Sequence, residues 1–508
     1  MLYMKGKKEG REEMGYLDPV KKVLNFSAPD KPCEISSRIA RLSLAVCLVS
    51  TLAVIVYATA FSTHWLHPVL NSRVGSPPVH VLDPNTLPTN VSHLLFALGG
   101  SSATWPKRIE YASTWWVPNM TRGYVWLDQE PEEATATYVA NISAPRYRVS
   151  SREWTRFKFS SSRSAVRIAR IISDSFKLGL PNVRWFVMGD DDTVFFVDNL
   201  VSVLSRYDHK EMWYIGGNSE SVEQDVMHSY DMAFGGGGFA VSYPLAERLV
   251  SVLDGCLDRY FNFYGSDQRI WACVTEIGVG LTRERGFHQL DIRGNPYGLL
   301  AAHPFAPLVS LHHLDYLDPL FPTQTRIDSL KSLIHAYRTD PPRIAQQTFC
   351  HDYDRNWSLS VSWGYTIQLY PSLVLTKDLQ RPLQTFKTWR SWSDGPFTFN
   401  TLPVPPDPCA RPIVFMLDRV QKRGRVQILT SYKNTGPLLG DKTCNNAAYG
   451  RAMSVQRITV HSEKLDPTFW TKAPRRQCYD FINGGGGFKD GSLQMHIRKC
   501  RSWETVTS

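Results

Sequence analysis

The chain has 508 residues, of which 43% are apolar and 20% charged, and its net charge is +10. That length exceeds one ordinary hydrophobic core, and that composition excludes a disordered or fibrous chain. No basic run interleaved with aromatics is present, which excludes a nucleic-acid-binding stripe.

Residues 1–41 carry nine Lys/Arg against six Asp/Glu. From Leu42 to Phe61 follow 20 residues without a charge, enough for a helix across about 30 Å of hydrocarbon. Lys21, Lys22, Lys31, Arg38 and Arg41 precede this run, and Ser62–Ser72 contains no Lys or Arg. The positive-inside rule predicts a cytosolic tail over 1–41, a transmembrane helix over 42–61 and everything later on the far side. A cleaved signal peptide is the alternative, but the charged lead is too long and the apolar run too extended for one. Sequons at Asn90, Asn119, Asn141 and Asn356 fall on the far side, although Asn25 shows that one can arise by chance. Seven cysteines also lie there: Cys256, Cys273, Cys350, Cys409, Cys444, Cys478 and Cys500. An odd number in an oxidising compartment leaves one free or paired with another chain, and spacing alone does not assign the bridges.

Residues 62–92 contain Pro68, Pro77, Pro78, Pro84 and Pro88 and read as a stem. From 93 onward, apolar runs alternate with helical periodicity. Strands are expected at His93–Leu98, Arg122–Leu127, Arg184–Met188 and Met212–Ile215. Helices are expected at Ser164–Gly179, Val197–Arg206, Leu245–Tyr260 and Ser266–Ile277. Such alternation predicts an α/β domain over 93–350, with a mostly parallel sheet covered by helices on both faces. Ligands of such sheets bind beyond the carboxyl ends of the strands. After 350 the period changes to alternation, at Leu359–Leu369, Ile413–Asp418 and Val426–Tyr432, and a β-rich domain over 351–508 is expected. The string of four glycines and a phenylalanine occurs twice, at Gly235–Phe239 and Gly484–Phe488, with unrelated flanks.

Four motifs carry chemistry. The first is Asp190-Asp191-Asp192, set between the apolar runs Trp185–Met188 and Val194–Phe196. An acidic turn is the ordinary alternative. Here a strand aims the triplet at the sheet's carboxyl edge, and three close carboxylates need a cation. Hard oxygen donors suit Mn²⁺ or Mg²⁺, which leave coordination sites for phosphate oxygens. The second is Phe234–Ser242, whose glycines, Gly236 and Gly237 among them, allow close approach of backbone to a ligand. Its apolar flanks argue for a packed loop rather than a flexible one. The third is Tyr264–Ile270, where Asp267 is either a general base or an acid on a helix start, with Ser266 as candidate cap. The fourth is His312-His313 in Val309–Asp315. Strand alternation would put the two rings on opposite faces, so at most one would reach a shared metal.

In this order, WFVMGDDDTVFF, FGGGGFAVS, YGSDQRI and VSLHHLD resemble the Fringe-related inverting glycosyltransferases of the GT-A fold. The likeness is greatest to the plant branch long described as a domain of unknown function, and it covers roughly residues 90–320. Phe96–Ser102 and the Trp115-Trp116 pair after Arg108 are similar in style. The charge asymmetry and the sequons predict a single-pass type II membrane protein of the Golgi with a lumenal catalytic domain. The resemblance implies a nucleotide-sugar donor, a UDP-sugar foremost, and a glycan or glycoprotein acceptor. It makes Asp192 the direct metal ligand, with Asp190 and Asp191 at the ribose or behind the metal, and Asp267 the catalytic base. Fringe proteins place a histidine two residues after Phe-His, but here Leu290 follows Phe287-His288-Gln289, and His312 matches the metal-binding position of many relatives. Metal ligands expected on this basis are Asp190, Asp192 and His312, with Mn²⁺ as the ion and Mg²⁺ as the alternative. The implied reaction is inverting transfer giving a β-linked product, with β-1,3 linkage expected. A carbohydrate-binding or scaffold protein that keeps the fold without turnover is the second reading. A two-metal phosphodiesterase lacks its second ligand set.

Overall fold

The computed structural model describes residues 47–52 and 88–507, apart from 134–136, 139–140, 160–161, 437, 441–443, 483–487 and 490. Cys47–Leu52 is helical and exposed; the rest of the expected span at 42–61, the tail and most of the stem lie outside the described residues. Among the described residues, no helix is long and apolar enough to cross a membrane. The second tetraglycine string also lies outside them.

Ten short strands organise the first part of residues 88–507. They are β1 (Leu94–Gly99), β2 (Gly123–Leu127), β3 (Arg146–Val149), β4 (Trp185–Asp190), β5 (Val194–Phe195), β6 (Tyr214–Gly216), β7 (Phe239–Ser242), β8 (Leu281–Arg283), β9 (Ile292–Gly294) and β10 (Ser310–Leu311). Seven form one sheet in the order β3-β2-β1-β4-β7-β6-β8. Four of its six pairings are parallel, and β7 runs antiparallel to both neighbours. The expected mostly parallel α/β sheet is therefore present in mixed form. Every residue of β1 is buried. Leu94, Phe96 and Leu98 enter one core, and Leu95 and Ala97 the other. A strand buried on both faces needs no polar alternation, which explains its continuous apolar run. Helices Arg163–Phe176, Tyr243–Arg259 and Ser266–Ile277 cover one face, and Trp105–Trp115, Val197–Leu204 and Arg326–Thr339 the other.

The helix Ser266–Ile277 has the expected bounds, but its cap is Gly265 rather than Ser266. Gln268 reaches back instead, accepting from the backbone N–H groups of Tyr264 and Gly265. The disulfide Cys256–Cys273 joins this helix to the preceding one and closes the turn that presents Asp267. A bridge over a loop this short stabilises by about 3 kcal/mol in the chain-entropy account. Cys409–Cys444 and Cys478–Cys500 are also bridged, which leaves Cys350 unpaired and buried.

From Gln347 a second, largely antiparallel sheet begins. Leu359–Leu369 is not one strand. Trp357–Ser362 and Thr366–Tyr370 form a hairpin, and Gly364 turns it with φ +78°. Leu359 faces Leu369 and Val361 faces Ile367, so the inward residues keep one parity through the turn and mimic a single alternating strand. The two sheets share a core: Tyr365, Val414 and Met416 join the cluster of Leu299, Leu300 and Tyr297. One short segment returns to the first sheet's side, where Phe386–Thr388 pairs antiparallel with β9.

Candidate active site

β4 delivers the acidic triplet. Trp185–Gly189 is buried between β1 and β7, so the strand opens at Asp190, level with Gly99. The chain then turns tightly, with Asp190 N donating to Thr193 Oγ1 at 2.8 Å. β5 leaves this turn and pairs antiparallel with β10, Leu311 opposite Val194. That two-residue ladder brings His312 to Asp192.

Ligand atoms of Asp190, Asp192 and His312 lie within 4.8 Å of one another. His312 Nε2 is 3.1 Å from Asp192 Oδ1 and 3.7 Å from Asp190 Oδ2. Asp192 is wholly buried, yet neither of its carboxylate oxygens has hydrogen-bond geometry to a partner, and His312 Nδ1 has none. Buried polar atoms are rarely left so. Two carboxylates and an imidazole around one point suit a hard or borderline divalent cation. The residues expected as metal ligands are thus brought together.

Charge is strongly coupled at this point. Burial pushes Asp190 up to about 7, and the Asp192 and Asp191 carboxylates add to that against the pull of His312. For Asp192, burial opposes ionisation, but His312 and Arg108 overcome it and hold the carboxyl well below the usual range. Burial likewise opposes a charged His312, and Asp192 raises it to about 9.

Asp191 turns the other way. It accepts from Thr104 Oγ1 and Arg108 Nη1, each at 2.8 Å. The same guanidinium lies 3.1 Å from Asp192 and 3.4 Å from Asp315. Arg108 therefore supplies the fixed positive charge that allows the triplet to be built. Sequence reasoning assigned it no role; a lone arginine in a helical stretch carries no signal of the aspartates it meets.

Asp267 faces the same cleft, which Asp190, Gly235, Gly236, His312 and His313 also line. Its Oδ2 accepts from Gly235 N at 3.1 Å and its Oδ1 from Gln268 N at 3.0 Å. The carboxylate is thus oriented by the glycine loop and by its own helix start.

The tetraglycine loop is packed between these groups. Gly236 O accepts from Thr193 Oγ1 at 2.7 Å, and Gly237 N donates to Gln289 Oε1 at 2.5 Å. A Cβ on Gly236 would lie 2.0 Å from the His312 ring. Gly236→Ala should therefore displace His312 and weaken divalent-metal binding at least tenfold. Overpacking of this kind costs about 1–3 kcal/mol, so the variant should still fold. Calorimetric titration with Mn²⁺ checks this, and unchanged affinity would show that His312 is not a ligand.

The two histidines do not take opposite faces. The strand ends at Leu311 and His313 sits at φ +54°, so the rings lie 3.9 Å apart, 32° from parallel. The left-handed residue breaks the period-two alternation on which that expectation rested. His313 Nδ1 is 3.2 Å from Asp291, and its ring stacks on Trp389. Burial and the neighbouring His312 push His313 down to about 4. His288 belongs elsewhere, in a buried chain with Glu220 at 3.0 Å and His303 at 2.9 Å. Leu290 is at φ +55° and buried.

Two family models match the chain. The model described as "Fringe-like" matches residues 89–303, and the one described as "Protein of unknown function, DUF604" matches residues 224–479. A mouse protein named beta-1,3-glucosyltransferase is 30% identical over 138 residues, 27% of this chain. The chain spans only 27% of that relative's length. Mouse xyloside xylosyltransferase 1 aligns at 13% identity and TM-score 0.24, over 36% of this chain and 81% of its own. A galactosyltransferase, LgtC, in complex with donor and acceptor sugar analogues aligns at 15% identity and TM-score 0.28, over 46% and 91%. The two family models overlap across the glycine loop, Asp267 and His288, and the second spans half of the sequence, so the chain belongs to the family described as Protein of unknown function, DUF604, and its N-terminal part is Fringe-like.

Proposed function

We propose that this protein is an inverting, metal-dependent glycosyltransferase. It moves a sugar from a nucleotide-sugar, a UDP-sugar foremost, to a hydroxyl of a glycan or glycoprotein, giving a β-linked product of β-1,3 type. The observation that carries this reading is the convergence of Asp190, Asp192 and His312 within 4.8 Å, in a cleft that Asp267 also lines.

Asp190, Asp192 and His312 would hold the cation. When bound, Mn²⁺ or Mg²⁺ neutralises charge building on a departing diphosphate. Arg108 holds Asp191 and keeps the triplet's remaining charge balanced. Gly236 and Gly237 keep the loop thin, so that backbone rather than side chain faces the donor. Asp267 takes the proton of the acceptor hydroxyl as its oxygen attacks the anomeric carbon. The bond to the diphosphate breaks with its electron pair on the leaving oxygen. A single displacement by one positioned base inverts the anomeric centre.

The topology completes the proposal: a single-pass type II protein of the Golgi membrane, anchored by residues 42–61, with its catalytic part in the lumen. Asn90, Asn119, Asn141 and Asn356 are all exposed, as glycan acceptors must be. Glycosidase treatment of the membrane-extracted protein should increase its gel mobility. The reaction itself is tested by incubating the full chain with a panel of UDP-sugars and Mn²⁺, with and without added glycans. Donor turnover that chelation abolishes is expected; no turnover or donor binding with any nucleotide-sugar would sink the reading.

A further inference from the structure

The segment after the second sheet's third strand returns to the site and builds a pillar of stacked side chains out from the metal-binding group. Phe386–Thr388 pairs with β9 and so sets Trp389 beside His313, ring centroids 4.2 Å apart and 5° from parallel. The Arg293 guanidinium lies 3.6 Å from the centre of the same indole, and Arg293 Nε donates to Trp389 O at 3.1 Å. Two groups this close on one face would overlap, so they hold opposite faces of Trp389. Arg293 in turn lies 5.6 Å from the Trp392 ring and 5.0 Å from the Tyr316 ring. The pillar therefore runs from His312 through His313, Trp389 and Arg293 to Trp392.

Its outer end is open and rigid. Trp392 is 61% exposed and Tyr316 47% exposed. Trp392 sits at φ +55°, a conformation that a bulky residue adopts only when its surroundings impose it. Those surroundings are visible. Thr388 Oγ1 is 2.8 Å from Ser391 Oγ and 3.0 Å from Ser393 Oγ, and Ser391 Oγ donates to Glu223 at 3.2 Å. A solvent-facing indole held in a strained, hydrogen-bonded turn is preorganised for a flat, apolar partner that carries hydroxyls at its edge. The C–H face of a pyranose ring is such a partner. The inner rings, Trp389 and His313, are already covered on their faces and cannot stack a sugar.

We propose that Trp392, at the outer end of this pillar, is an acceptor subsite for a sugar ring remote from the reacting one, so that the acceptor is an oligosaccharide chain and not a single sugar. This rests on the glycosyltransferase reading for the word acceptor, though not for the binding itself. Residues 376–403 lie beyond the Fringe-like match and inside the second family match, so the subsite belongs to that part of the chain.

The test uses the full chain in detergent and neutral β-linked gluco-, galacto-, xylo- and manno-oligosaccharides of one to six units, the monomers as methyl glycosides. Binding is followed by saturation-transfer NMR and tryptophan fluorescence, and Mn²⁺ and UDP affinities are measured on the same samples. In at least one series, chains of three or more units should bind at least about tenfold tighter than the methyl glycoside. Trp392→Ala should remove that preference, Trp392→Phe should restore most of it, and Mn²⁺ and UDP affinities should not move. The proposal is overturned if no series shows a length preference, or if Trp392→Ala leaves the preference intact. Absence of Mn²⁺ and UDP binding in the unsubstituted chain, with a length preference that Trp392→Ala removes, would instead remove the transferase reading and keep the subsite.

Discussion

Asp192→Asn is expected to abolish the stabilisation of the protein by Mn²⁺. The substitution keeps the side chain's volume at a fully buried position, and removes one anionic donor from the three donors that converge there. Changes behind a metal's ligands typically cost roughly 10–100-fold in metal affinity, and loss of a charged ligand should exceed that. A ligand at about a hundred times its Kd stabilises a fold by about 2.7 kcal/mol, and this increment should vanish. Stability without metal should change far less. Breaking a buried ion pair usually costs about 3–5 kcal/mol, because a partner charge is stranded. Here Arg108 keeps Asp191 and His312 keeps Asp190, while repulsion within the triplet is relieved. Thermal melts with and without Mn²⁺ check both halves. If the metal shift persists in the variant, Asp192 is not a ligand and the donor set must be sought elsewhere. A large loss of stability without metal would assign Asp192 to the packing of the turn.

Several parts of this arrangement were legible before the structure, and the reasons are local. The run Trp185–Met188 ends in three acids, so strand and site are read from one short segment. Asp267 stands at a helix start whose pattern is equally local. Even the pairing of His312 with the triplet came only from resemblance, because no spacing rule links residues brought together by the ladder of β5 and β10. What was not legible depends on distant contacts or on backbone conformation. Arg108 meets its aspartates only because the helix Trp105–Trp115 packs beside β5. His313 left the expected face through a single positive φ, which no pattern announces in a histidine. Trp389 reaches His313 through a strand pairing with β9, a contact between segments far apart in the chain. The hairpin around Gly364 preserved the alternation of a longer strand and so concealed the turn.

Asp267→Asn separates the two meanings of an acid at a helix start. Asparagine keeps the size of the side chain, and its amide oxygen can still accept from Gly235 N or from Gln268 N. It cannot take a proton from an acceptor hydroxyl. If Asp267 is the base, transfer should fall by about 10²–10⁴-fold, with Mn²⁺ and donor affinities and the melting temperature nearly unchanged. Donor hydrolysis without acceptor should fall less, since water can lose its proton to solvent. If the carboxylate serves only the helix, the loss is one favourable charge at the positive end of a dipole, about 0.3–1 kcal/mol, and turnover survives. The cleft favours the first outcome on geometric grounds. A carboxylate needed only for capping would have no cause to reach out of its helix to Gly235, and here Gly265 and the loop glycines leave it room to do so. A Cβ at residue 265 would come within 2.4 Å of its Oδ1. Gly265→Ala should therefore reproduce part of the catalytic loss by tilting the base, although it removes no chemical group. Transfer unchanged in both variants, with stability lowered, would leave the inverting mechanism without its base.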